Sequence, residues 1–430
     1  MPLQPGRSVR TGIVLPFVVW FACGEDTGRF DAAVYLPEDA EADVTMDAAL
    51  SARPEVRVGL AGGSACDSGD QCLSGACPLG ACSDWSHAMR IGIDTSSTGA
   101  DLREPVAQFP LLVRLREDNF TFSEARPDGA DIRFVAADGG NLHHDIERWD
   151  AASGVADVWV LVPSIAAASK TNFVTMYWGN ALATPTAASS PVFDAFTCVF
   201  HMNAAADGVA THLEDVSGHG DRGQVQNPAS SPPRVDGIAG AAMAFDGGGT
   251  FFTTATPLSN PSTVSISLWF RTSASARAGL AGFGSSPSGS DVAFDRALVL
   301  DEEGRLTFGV RRSGALTWVT GLPSYNDGAW HLAVARFAND GRYLFVDGEP
   351  VADAQTDFGT EPMAGFWRFA EEPLSSSIAG PTDAALAGNF FVGALDEIRV
   401  IEKELSDSWI RLAYATQRPA GGVLEYQRVP

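Results

Sequence analysis

Lysine is almost missing from this chain of 430 residues: Lys170 and Lys403 are its two copies, so nearly all positive charge is arginine. Positive charge is scarce as a whole, with 29 basic against 53 acidic side chains and a formal net charge of −24. A field of that sign repels phosphate backbones and anionic lipid surfaces, which argues against nucleic acid or a charged membrane surface as partner. Apolar runs long enough to span a bilayer, about 20 residues, are lacking too. So is helical periodicity: no amphipathic helix of useful length lies between residues 85 and 180. Catalytic signatures are equally sparse. The chain has no G-x-S-x-G elbow, no phosphate loop and no basic–aromatic patch.

Cysteine is limited to six residues, and their placement sorts them. Arg7 and Arg10 precede a short apolar run, Ile13 to Ala22, and then Cys23. That pattern is expected of an exported chain with a signal peptide. Trp20-Phe21-Ala22-Cys23 resembles a bacterial lipobox, which implies lipidation at Cys23 and an outer-membrane or cell-surface lipoprotein; plain secretion is the alternative. Residues 24–65 are rich in Ala, Asp and Glu and read as an acidic spacer. Cys66, Cys72, Cys77 and Cys82 are spaced C-x5-C-x4-C-x4-C, unlike the C-x2-C pairs of zinc sites, and are expected to form two disulfides of open connectivity. The segment resembles small cysteine-rich motifs of myxobacterial surface proteins. Cys198, between Thr197 and Val199, is expected to be a buried core thiol.

Strand patterning takes over from residue 84. Leu111, Val113 and Leu115 alternate, as do residues 156–162 and 172–178, with Asp-Gly and Gly-Asn turns between. A β-sandwich is expected over 84–182. Residues 190–419 supply a second, longer series, including 264–269, 305–310, 330–335 and 342–346, the last followed by the hairpin signal Asp347-Gly348. The fold class is therefore all-β.

The motifs carry two family resemblances. Asp128-Gly-Ala-Asp-Ile-Arg-Phe134, Asp145-Ile-Glu-Arg-Trp-Asp150, Val158-Trp-Val-Leu-Val-Pro163 and Met176-Tyr-Trp-Gly-Asn180 resemble a bacterial domain of unknown function (number 2341). That domain also occurs beside channel proteins of the TolQ/ExbB type. Ala244-Phe-Asp-Gly247, Ser265–Phe270, Asp327-Gly-Ala-Trp-His331, Leu344–Gly348 and Gly393–Val400 resemble the laminin-G-like, concanavalin-A-like jelly roll. The second resemblance implies an extracellular binding module that often holds calcium.

The closing stretch bears the most chemistry. At period two, Val392, Ala394, Asp396, Ile398 and Val400 share one strand face, leaving Asp396 in an apolar row. Ser406 then caps a helix, with Asp407 in its first turn and Leu405 and Ile410 as a hydrophobic staple. Calcium prefers six to eight oxygens, and Asp215 and the Gly218 carbonyl, from the loop 213–221, are expected to meet Asp396 around one. The competing expectation gives Asp396 an arginine or backbone amides. A glucanase would carry E-x-D-x-E, which is absent; the nearest string, His143-His-Asp-Ile-Glu147, fits the first domain's own pattern. His143 and His144 would point to opposite strand faces. Loop aromatics such as Phe251, Phe252, Tyr325, Phe366 and Trp367 are expected to serve the core or a hairpin, with stacking on sugar rings as the alternative. The overall expectation is a non-catalytic surface protein recognising a glycan or protein ligand. Alternatives are an accessory role in an envelope transport assembly and a glycoside hydrolase. No oligomeric state is legible.

Overall fold

Alternation along the first β unit becomes seven strands: β1 (His87–Ile93), β2 (Val106–Arg116), β3 (Arg133–Ala136), β4 (Asn141–Leu142), β5 (His144–Asp150), β6 (Val155–Ile165) and β7 (Asn172–Trp178). In this computed structural model, the described residues are 84–184, 191–203, 212–220, 222–227, 232–288, 293–312, 315–355, 363–371 and 389–429. The signal and lipidation site at Cys23, the acidic spacer and Cys66, Cys72, Cys77 and Cys82 lie outside them. Among the described residues no helix is long and apolar enough to cross a membrane.

β2 pairs with β6 over almost its whole length, with Leu111 opposite Val160 and Val113 opposite Val158. Leu112 is as fully buried as its neighbours, because the second face of this sheet is covered as well. Leu112 and its partner Trp159 point that way, toward the second unit. His144 is buried and His143 exposed, as opposite faces require.

The second unit runs through β8 (Cys198–Phe200), β9 (His212–Leu213), β10 (Gly223–Gln226), β11 (Arg234–Asp236), β12 (Ala241–Asp246), β13 (Phe251–Thr254), β14 (Leu258–Ser259), β15 (Val264–Arg271), β16 (Ala278–Gly284), β17 (Phe294–Leu300), β18 (Arg305–Arg312) and β19 (Ala315–Ser324). It continues with β20 (Trp330–Ala338), β21 (Gly341–Val346), β22 (Glu349–Ala354), β23 (Ala364–Phe369) and β24 (Val392–Ile401), then α1 (Asp407–Gln417) and β25 (Leu424–Val429). Two antiparallel sheets result. One has the order β19-β18-β17-β16-β23-β13-β10-β9, the other β11-β12-β24-β15-β20-β21-β22 with β8 also on β24. Phe200, Phe252, Leu268, Phe308, Trp367 and Ile398 are among the side chains that fill the space between them. Cys198 is buried in that core, and Phe252 and Trp367 are buried there too. Asp347 and Gly348 both take positive φ, 55° and 84°, as the tight turn from β21 to β22 demands.

The chain's end ties the two units together. Ser406 caps α1 by accepting from the Trp409 amide at 3.2 Å. The helix then lays Trp409, Ile410, Leu412 and Ala413 into a core shared with Phe109 and Leu111 of the first unit and Trp269 and Phe345 of the second. Burying each large apolar side chain there contributes about 1.5–3 kcal/mol. Arg114 of β2 donates to the Thr416 carbonyl at 3.0 Å and to that of Gln417, neutralising the helix's negative end. β25 finally pairs with β1, so the last strand of the chain completes a sheet of the first unit.

Candidate functional site at the seam

β24 breaks its own alternation. Its partner positions are Asp396 opposite Trp269 and Arg399 opposite Ser267, so Glu397 and Ile398 together face Leu268. Glu397 takes φ of 47°, a left-handed conformation that costs a non-glycine residue about 1–3 kcal/mol. This bulge shifts every following side chain to the other face. Leu395, Ile398 and Val400 enter the jelly-roll core, while Asp396, Glu397 and Arg399 turn toward the first unit. The expected row of Asp396 with Ile398 and Val400 is corrected on this ground.

Asp396 is wholly buried and satisfied by backbone. Oδ2 accepts from the amides of Ile238 at 2.6 Å and Ala239 at 3.3 Å, and Oδ1 from the Glu397 amide at 2.9 Å. The loop presses so close that a Cβ on Gly237 would stand 2.4 Å from Oδ2. Burial, then the charges of Glu397 and Glu147, push this carboxyl well above its usual range.

Glu397 is held by two cations. Its Oε1 lies 2.7 Å from His201 Nδ1, and Oε2 accepts from Arg399 Nη2 at 2.5 Å. Burial opposes its ionisation, but His201 and Arg399 outweigh that and hold it below the usual carboxylate range. His201 lies parallel to the Trp159 ring, 5.9 Å between centroids, and Arg399 sits 4.3 Å over the same indole. From β5, Glu147 closes the group: Oε2 accepts from Trp159 Nε1 at 2.6 Å and Oε1 from Asn203 Nδ2 at 2.8 Å, and Oε2 is 3.6 Å from His201 Nδ1. Burial, then Glu397, raises Glu147 to about 8. Burial works against a charged His201, yet Glu397 and Glu147 prevail and raise it to about 9.

Glu147, His201 and Glu397 bring their ligand atoms within 4.8 Å of one another, the one grouping of metal-ligating side chains among the described residues. The composition suits a cation, but His201 Nδ1 is committed to Glu397 and Arg399 already brings positive charge to that carboxylate. The side chains of Glu147 and Glu397 are 1% and 0% exposed, so what faces solvent is not this cluster but the cleft beside it. That cleft holds about 740 Å³ and is lined by Arg148, Asn203, Arg234, Asp236, Gly240 and Arg271, with Glu147 at its edge. Gly240, at φ 54°, lets backbone approach where a Cβ would stand 2.3 Å from Asn203 Oδ1.

The residues expected to hold calcium are placed as follows. Asp215 folds back on its own loop, Oδ1 accepting from the amides of Val199 at 2.8 Å and Ser217 at 3.0 Å, and Oδ2 from Ser217 Oγ at 2.8 Å. Gly218 takes φ of 82° in that loop. β8 sets Val199 opposite Arg399, three residues along β24 from Asp396. Both carboxylates thus accept backbone amides, the alternative to a metal for Asp396. His201 and Glu147 escape sequence reasoning. Glu147 stands in a string that matches only the first domain's pattern, and a single histidine after an apolar strand carries no spacing signal.

Two comparisons address the whole. Residues 246–411 match the family model of the concanavalin A-like lectin/glucanases superfamily, laminin-G-like type. Residues 128–201 match that of a domain of unknown function, DUF2341. The chain combines these two domain types. His201 is the last residue of the DUF2341 match and Glu397 lies inside the laminin-G-like match, so the seam cluster draws on both domains. No curated protein matches the chain. Solved structures similar to it include domain 4 of AbnA, an extracellular arabinanase from Geobacillus stearothermophilus, in complex with arabinotriose (17% identity, 51% of this chain and 98% of that one, TM-score 0.37). Another is the binding domain of botulinum neurotoxin serotype D (12%, 51% and 51%, TM-score 0.36). A third is Trypanosoma rangeli sialidase with the inhibitor DANA (15%, 66% and 43%, TM-score 0.37). Likeness at that level says nothing of ligand.

Proposed function

We propose that this is a non-catalytic binding protein that works outside the cell and holds a glycan or protein ligand. One observation carries the reading: Glu147 and Glu397 are sealed in the seam, while arginine donors line the open cleft beside them. A retaining glycosidase presents two carboxylates about 5–5.5 Å apart to its substrate. Glu147 and Glu397 are close enough, but both are covered and spent on Trp159, Asn203, His201 and Arg399. What the cleft offers instead is guanidinium groups and backbone in a concavity of ligand size. These features support holding a ligand over cleaving one.

The test presents the full-length protein to a glycan array and to extracellular proteins in a pull-down, with polysaccharide hydrolysis assayed in parallel. Retention without cleavage is expected. Reducing-end release from any polysaccharide would overturn the reading. Two accompaniments belong to the same proposal. Lipid at Cys23 would tether the site to the outer membrane, and mass spectrometry of the exported protein checks it. Calcium held by Asp215, Gly218 and Asp396 would have to displace the amides now bound to both carboxylates, and a melting-temperature titration with calcium checks that.

A further inference from the structure

The seam cleft is rich in arginine within a chain of net charge −24. Arg148 comes from β5, Arg234 from β11 and Arg271 from β15, three elements distant in sequence that the packing of the two domains brings to one opening. Several arginines elsewhere meet an acid closely: Arg116 with Asp157 at 2.7 Å, Arg305 with Asp301 at 2.8 Å, Arg411 with Glu349 at 2.7 Å. In the cleft none makes so close a pair. Arg234 donates Nε to the Asn203 carbonyl at 3.2 Å and Nη1 to the Pro232 carbonyl at 3.1 Å, both uncharged acceptors. Arg271 lies 4.9 Å over the Trp330 ring and makes no ion pair among the described residues. Arg148 reaches only Asp150, at 4.0 Å, with both side chains more than a third exposed.

Two acids also line the cleft. Glu147 is buried and occupied by Trp159 and Asn203. Asp236 is exposed and pairs with none of the three arginines. A chain with almost twice as many acids as bases has left three guanidinium groups facing one concavity without a strong carboxylate partner. A guanidinium fork matches a carboxylate in two parallel hydrogen bonds.

We infer that this cleft binds an anionic carbohydrate, a sugar bearing a carboxylate, with Arg234 and Arg271 as its principal contacts. The inference rests on the binding function proposed above and names its ligand class. At about 740 Å³ the cleft has room for a short oligosaccharide and not for the broad face of a folded protein. An acidic peptide is the rival occupant, and the test separates it.

Calorimetry on the full-length protein would compare trigalacturonate and sialyllactose with neutral maltotriose and lactose, and with a short polyglutamate peptide. Binding of an acidic sugar at least about tenfold tighter than its neutral counterpart is expected. Arg271→Gln breaks no hydrogen bond in the protein and removes only its contact with Trp330, so it should weaken that binding about tenfold or more with at most a small fall in melting temperature. Arg277→Gln, whose guanidinium lies 5.5 Å over Trp318 on the other sheet, should leave it unchanged. Equal affinity for neutral and acidic sugars, indifference to Arg271→Gln, binding of polyglutamate alone, or no binding of either acidic sugar would overturn the inference. If a neutral glycan or a protein binds independently of Arg271, the anionic assignment fails and the binding function stands. If the array and the pull-down retain nothing, the binding function itself fails.

Discussion

His201 Nδ1 lies 2.7 Å from Glu397 Oε1, although the two residues are 196 positions apart and fall in different domain matches. Both are buried, and Arg399 and Glu147 complete the charge set around them. Taking charges out of water costs several kcal/mol per ion, so such a pair persists only with its full set of partners.

Glu397→Gln should therefore be severe. It leaves His201 and Arg399 buried without their shared anion, a situation that costs about 3–5 kcal/mol. Urea denaturation of the variant should show the midpoint fall by that equivalent with little change in slope. A midpoint within error of the parent would show that the pair does not stabilise the fold.

The cluster also sets a pH dependence. Glu147 is raised to about 8 and His201 to about 9, and a group whose folded pKa lies above its unfolded value stabilises below the unfolded value. That stability is lost as pH rises through 4.5 to 8 for Glu147 and through 6.5 to 9 for His201. Asp396, also raised, acts in the same direction. Glu397 is depressed and acts oppositely, losing its contribution as pH falls below the usual glutamate range. The melting temperature should fall between pH 6 and 9, and Glu147→Gln should flatten the part below pH 8. A rise over that interval would contradict the assignment.

Gly237→Ala probes the loop that seals Asp396. The new Cβ would stand 2.4 Å from Asp396 Oδ2 and 2.9 Å from the Ala241 and Ala242 backbone. Forced displacement in a packed site costs about 1–3 kcal/mol. The loss should appear in thermal melts, and Asp396→Ala combined with it should recover part of the difference. Additive effects of the two changes would rule out the contact as the cause.

Trp409→Ala removes a side chain packed 5.4 Å from Phe109 in the shared core. A loss of about 3–5 kcal/mol is expected. Because β25 and α1 bind the two units, the parent should unfold in one transition by tryptophan fluorescence and by circular dichroism alike. Separate transitions in the parent would mean that the shared core does not couple them.

Much of the architecture is legible in local pattern. Alternation at 111–115 announces a strand, positive φ at Asp347 and Gly348 follows from the Asp-Gly pair, and Ser406 caps α1 as its position foretells. These are properties of short windows, set by backbone sterics and by the period of side-chain faces. The candidate site is different in kind. Glu147 and His201 sit in windows that look like ordinary strands and gain their meaning from Glu397 across the seam.

The stretch around Asp396 divides the two sources of information. By itself the sequence determined an all-β chain of two units, a capped helix after the last strand, and an acid in that strand that must find partners. Which face the acid occupies was decided only in the tertiary structure, where a bulge at Glu397 reverses the alternation. A bulge adds one residue against one partner, so its sign depends on a strand far away and not on its own neighbours. The same long-range pairing gathered Arg148, Arg234 and Arg271 at one opening, because charge convergence is a property of packed surfaces and leaves no trace in spacing.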